Sequence, residues 1–199
     1  MNLAAYNPYI GQHIKNNAGS SADHGFIAHY LLPAAAAIVA AADNVKAAVV
    51  LADGVTTTLT IVDITLQPPT PRVLSITGNA VTVVGNVVIT GTDAAGNVLV
   101  DTIVANGAAT VIGVKAFASI TRVVLPARGA AADSISLGLS DRFGLPFLLP
   151  HDTVLKILNG GTATTVAAGS SFSATVLADN FIDPTAAINA VDIDVYLVV

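Results

Sequence analysis

Three places in this 199-residue chain hold side chains that could do chemistry. His151 stands between Pro150 and Asp152, and an imidazole beside a carboxylate is half of a hydrolytic triad. No G-x-S-x-G or comparable nucleophile setting accompanies it, so it reads as a surface-turn histidine. Asp192 and Asp194 are spaced i and i+2, which puts both carboxylates on one face of a strand. With other oxygens they could bind Ca²⁺. The sequence has neither an EF-hand loop nor a glycine–aspartate repeat, and the pair reads as the solvent side of a half-buried strand. His24 and His29 are five residues apart, but Gly25 lies between them and no third ligand is near. The glycines form no phosphate cradle: Gly78, Gly85, Gly91, Gly96 and Gly107 fall at turn spacing instead. The expectation is a chain with no catalytic residue, no metal site and no cofactor.

Composition narrows the function further. Charged residues are 11% of the chain, against roughly 25% in an ordinary domain, and hydrophobic residues are 53%. All thirteen acids are Asp, and the absence of Glu with abundant Val, Ile and Thr favours strands and turns. Cysteine is absent, which excludes disulfides, thiolate metal sites and a Cys nucleophile. The net charge of -5 and eight scattered basic residues give no reason to expect nucleic acid as a partner. Without Trp, and with its aromatics dispersed, the chain lacks a carbohydrate or single-strand stacking platform. So few charges leave much of the surface apolar or small, which predicts an oligomer or a subunit bound to a larger body. MNLAAYNPYIGQHIKNN shows no basic-then-apolar export signal. LLPAAAAIVAAADNVKAAVVLA is interrupted by Asp43, Asn44 and Lys46, and no membrane span is expected.

The elements that would position these residues are strands. Residues 1–32 read as an extended N-terminal arm. The aromatics Tyr6, Tyr9, Phe26 and Tyr30 concentrate there as candidate anchors for a partner. Residues 33–70 read as extended segments joined by a turn at Asp43-Asn44, with a short helix as the alternative. A bulged strand over Thr56–Leu66 follows, and then the connector Gln67–Pro71. Residues 71–199 read as a β-sandwich or jelly-roll-like body, and 33–199 could be one domain. Strands are expected at Arg72–Thr77, Val81–Val84, Asn86–Thr92, Val98–Ala105, Thr110–Phe117, Ile120–Leu125 and Ser134–Leu139. A hairpin about Asn159-Gly160-Gly161 and strands at Phe172–Ala178 and Val191–Val199 complete the pattern. Asp93–Asn97 has the form of a type I turn closed by a left-handed Gly, and Asn106-Gly107 signals a two-residue hairpin. Asp141–Pro150, DRFGLPFLLP, reads as an irregular apolar segment whose Phe143 and Phe147 are further candidates for contact with a partner.

Residues 71–150 also carry a combination of words. Pro71-Arg72 leads to Thr77–Asn79, then Gly85–Asn97, Asn106-Gly107, Lys115–Pro126 and the D-x-x-G-L-P element at Asp141–Pro146. In that combination the chain resembles a group of tailed-bacteriophage virion structural proteins, most closely capsid decoration (cement) proteins. The resemblance implies a non-enzymatic protein on the capsid surface of a virion. It implies the major capsid protein as partner, and further copies of the chain in a homotrimer. The alternatives are a tail, neck or fibre component, or a receptor- or glycan-binding adhesin domain.

Overall fold

The computed structural model describes residues 26–199, together with the backbone of two short paired segments, β1 (Ile14–Lys15) and β2 (Ser21–Ala22). Thirteen further strands follow: β3 (Ile27–Leu32), β4 (Ala41–Val50), β5 (Thr57–Thr60), β6 (Arg72–Gly78), β7 (Val84–Thr92), β8 (Val98–Asn106), β9 (Thr110–Phe117), β10 (Ser119–Leu125), β11 (Ser134–Gly144), β12 (Val154–Asn159), β13 (Thr162–Thr164), β14 (Phe181–Ile182) and β15 (Ile193–Val198). The chain is all-β, as its composition predicts.

Two sheets form the body. One has the order β5-β10-β7-β8; the other runs β14-β11-β6-β9, with β4 also paired to β11. Their inner faces meet in one core. Leu74, Ile76, Phe117, Ile135 and Leu137 of one sheet pack with Val87, Ile89, Ile103, Ile120 and Val123 of the other. This is the β-sandwich expected from short strands of alternating pattern. β8 shows that alternation cleanly, with Leu99, Asp101, Ile103 and Ala105 inward and Val98, Val100, Thr102 and Val104 outward.

A third sheet, β13-β12-β15-β3, brings the two chain ends together: β3 lies antiparallel to β15, with Tyr30 opposite Val195. Its inner face supplies Leu32, Ile157, Ile193, Val195 and Leu197 to a second core. Phe143 and Leu145, at and just beyond the end of β11, enter the same core, so the third sheet rests against the body there. Residues 27–32, expected within an arm, are therefore a sheet strand. Ala28, Tyr30 and Leu32 are its inward set, and the small Ala and the polar Tyr hydroxyl hide that alternation in the sequence.

Elsewhere the pattern needs correction. The chain turns at Pro33–Ala37, not at Asp43-Asn44, which lies within β4. The register between β4 and β11 slips there, and the Asn44 side chain makes up for it. It accepts from Leu139 N (2.9 Å) and donates to the Val39 carbonyl (3.1 Å). β5 stops at Thr60, because Asp63 accepts from both the backbone and the hydroxyl of Thr60 and winds Ile61–Asp63 into a 3-10 turn. Val81 sits in a turn, and β7 begins only at Val84. The 172–178 region holds no strand; its backbone is tied by side chains and ends in the 3-10 turn Leu177–Asp179. β11 continues through Asp141–Gly144.

The Asp93–Asn97 turn forms as read, with Gly96 at φ 83° and the Asp93 carboxylate accepting from Ala95 N and Asn97 N. Asn106-Gly107 also forms a tight turn, with Gly107 at φ 62°, but it does not make a hairpin within one sheet. It carries the chain from β8 in one sheet to β9 in the other. The buried Asp101 carboxylate bridges these two edge strands by accepting from Val114 N (3.0 Å). An inward-pointing charge on an edge strand discourages pairing with foreign strands.

Candidate functional site

The titratable groups among the described residues are spread out, and several of them hold backbone. His151 is exposed, and Asp152 caps Val154 N at 2.9 Å. Asp192 accepts from Ala34 N at 2.6 Å, and Asp194 faces His29 Nε2 at 2.7 Å. The His29 ring stacks on Tyr196, with centroids 4.6 Å apart. The two carboxylates weighed for Ca²⁺ thus fasten β3 and the turn after it to the C-terminal strand. Among the described residues, no three His, Cys, Asp or Glu side chains converge as a metal site. His24 lies outside the described residues.

Four basic side chains are engaged as well. Arg142 pairs with Asp183 at 2.9 Å, Lys115 with Asp179 at 3.1 Å and Arg128 with Asp53 at 2.8 Å. Arg72 is fully buried. It donates from Nε (3.1 Å) and Nη2 to the Ser140 carbonyl and from Nη1 to the Ile38 carbonyl (2.9 Å). Desolvation lowers its pKa to about 10, partly offset by Asp141, so it stays a cation at neutral pH. It braces β6 and β11 against the segment before β4. Asp133 is held below the ordinary carboxylate range, chiefly by the Thr82 hydroxyl, which donates to it at 2.7 Å. These are structural tasks, and the geometry assembles no acid–base or nucleophilic constellation from them.

What the fold does assemble is surface. The outward face of the β5-β10-β7-β8 sheet carries cross-strand pairs Thr92/Val98, Thr90/Val100, Val88/Thr102 and Asn86/Val104. Val84, Val98, Val100 and Val104 are exposed, Val98 by 81%. Arg122, opposite Thr90 on one side and Thr60 on the other, is the single charged side chain of the four strands on that face. A cleft of about 310 Å³ on the other sheet is lined by Ser75, Thr110, Ser140, Asp141 and the paired Arg142 and Asp183. A larger groove, about 620 Å³, lies at the Asp93–Asn97 end of the body, where Phe147, Leu148, Val176, Leu177 and Val199 converge.

The candidate aromatics part company here. Phe143 is fully buried in the second core, so it is not a partner anchor: the β11 strand carries it inward past the point where the sequence suggested a loop. Phe147 is half-buried and lines the large groove. Phe26 is 51% exposed and joined by backbone to Val199. Tyr30 packs on the second core, and burial pushes its hydroxyl above its ordinary value of 10.0. Tyr6 and Tyr9 lie outside the described residues. Leu148, Val176 and Val199 had no sequence signal, because they meet only through tertiary structure. Val98, Val100 and Val104 did have one: β8 is apolar on its outward face as well as its inward one.

Comparison with protein-family models, curated proteins and solved structures finds no match to this chain.

Proposed function

We propose that the chain is a non-enzymatic structural protein of a bacteriophage virion, which decorates the capsid and cements neighbouring capsid subunits. The observation that carries this reading is the outward face of the β5-β10-β7-β8 sheet, broad, rich in Val and Thr, and charged only at Arg122. A face of this kind gains free energy by losing contact with water, at roughly 25 cal/mol per Å² of apolar area. It makes few demands for matched charges. Asp93, Asp101, Asp133 and Arg72 hold backbone, and the virion-protein words of residues 71–150 fall on the strands and turns of this same body.

Purified virions test the reading by copy number, with quantitative mass spectrometry as the readout. Hundreds of copies are expected; a dozen or fewer would assign the protein to the tail or neck. A second arm uses V100D/V104D, whose side chains are 48% and 59% exposed. This variant is expected to keep its unfolding midpoint and lose at least tenfold in occupancy on empty capsids, about 1.4 kcal/mol. Unchanged occupancy would remove this face from the proposal.

A further inference from the structure

Of the sheet edges among the described strands, all but one are blunted. β1, β2 and β14 are two residues long, β13 three and β5 four. β4 slips register against β11 and carries Lys46, and its Val45 carbonyl accepts from Thr65 N and Leu66 N. Asp101 bridges the edges of β8 and β9. Short strands, bulges, charges and covering loops are the devices that keep an edge from pairing with another chain. β3 has none of them. It is six residues long, pairs with β15 from Ile27–Val198 to Leu32–Ile193 without a shift, and ends the order of its sheet. From Phe26 to Leu32 it holds no Pro, Asp, Lys or Arg.

Phe26 and Val199 exchange both backbone bonds, at 3.1 and 2.9 Å. The alternation of an antiparallel ladder therefore turns Ala28, Tyr30 and Leu32 towards β15. The N–H and C=O groups of Ile27, His29 and Leu31 point the other way. Among the described residues, no backbone group bonds to them there.

The strand also fits itself. A second copy laid antiparallel about a two-fold axis at His29 sets Ile27 opposite the second copy's Leu31, and Leu31 opposite its Ile27. These pairs, and the central His29 pair, then each exchange both backbone bonds. Ile27 and Leu31 are 68% and 47% exposed, and the pairing covers them against each other. On the inward side small Ala28 meets large Tyr30, and half-exposed Phe26 meets Leu32, so the second cores of the two copies close beneath the seam. The His29 rings leave the seam clear, since each stacks on Tyr196 and meets Asp194 of its own β15. A seam without formal charge also suits copies that each carry a net charge of -5.

We propose that β3 is the edge through which two copies of this chain pair, joining their third sheets into one continuous sheet. A two-fold seam closes at two copies. It gives a dimer, where the virion resemblance implies a homotrimer, and the proposal does not depend on the capsid reading.

Sedimentation velocity of the full-length chain over a dilution series tests this, with urea unfolding of the dissociated chain as the check on folding. The wild type is expected to be a dimer that dissociates on dilution. I27K/L31K sets ammonium against ammonium in both halves of the seam, at side chains that are exposed in the single copy. It should weaken dimerisation at least tenfold and leave the urea midpoint unchanged. I27K/L31D sets ammonium against carboxylate in both halves and should dimerise at least fivefold more tightly than I27K/L31K. L155K is the control. Leu155 is 58% exposed on the same sheet but on β12, away from the seam, and L155K should leave dimerisation unchanged. A monomeric wild type, an assembly that I27K/L31K leaves intact, or equal weakening by L155K would overturn the proposal. Equal dissociation of I27K/L31K and I27K/L31D would overturn the pairing centred on His29.

Discussion

The Asn180 side chain is the best place to test whether buried polar bonds hold the loops around the groove. It is fully buried, and its amide is completely used. The oxygen accepts from Leu149 N (3.1 Å) and Ser173 N (2.9 Å). The nitrogen donates to the carbonyls of Ser173 (2.9 Å) and Val176 (2.8 Å). N180D preserves shape and both accepted bonds but sets a carboxylate oxygen against two carbonyl oxygens. Two lost bonds with two stranded buried acceptors, at about 2 kcal/mol each, give a loss of about 4 kcal/mol at pH 7. That is a large share of the 5–15 kcal/mol typical of a folded domain. Urea unfolding followed by circular dichroism measures it. The new carboxyl, buried beside carbonyls, would have its folded pKa raised above the unfolded value of about 3.9. Its penalty should therefore be smallest below that value and grow as pH rises through the folded pKa. The gap between N180D and wild type should be wider at pH 8 than at pH 4. A loss under about 1 kcal/mol at pH 7, or the same loss at both pH values, would refute the assignment of Asn180 as the tie between these loops.

Asp133 gives a prediction of opposite sign. Its carboxyl is held below the usual 3.8 by Thr82, Ala130 and Gly129, so the stability it contributes is present above 3.8 and lost as pH falls through the lower folded value. D133N should flatten the acid limb of a plot of urea midpoint against pH between about 4 and 2; a slope equal to wild type would rule this out. F143A removes a fully buried ring from the second core and should cost about 3–5 kcal/mol by the same urea assay. A near-neutral F143A would mean that the third sheet does not rely on β11 for its packing.

Part of this architecture is local and was legible as such. Asp93 can cap its own turn, and Gly96 can take positive φ, without help from the rest of the molecule. Ile193, Val195 and Leu197 alternate with Asp192 and Asp194, and that period alone predicts the C-terminal strand and its buried face. The expectation of a chain without a catalytic residue rests on residue types, since Cys is missing and the histidines lack nucleophile or ligand partners in sequence.

The rest depended on distant parts of the chain. Asn106-Gly107 announces a turn, but whether the next strand pairs with the last or crosses to the opposite sheet depends on which core Ile103 and Phe117 share. Asp43-Asn44 has turn chemistry, yet β11 supplies an N–H for Asn44 to accept from and so keeps the backbone extended. The sequence by itself determined an all-β chain and the turn at Asp93–Asn97. Tertiary structure alone decided that residues 27–32 pair with the C-terminal strand, that Phe143 is core, and that Phe147, Leu148, Val176 and Val199 form one groove. Turn and strand preferences act over a few residues, whereas each of these contacts joins segments whose separation along the chain carries no record of their meeting.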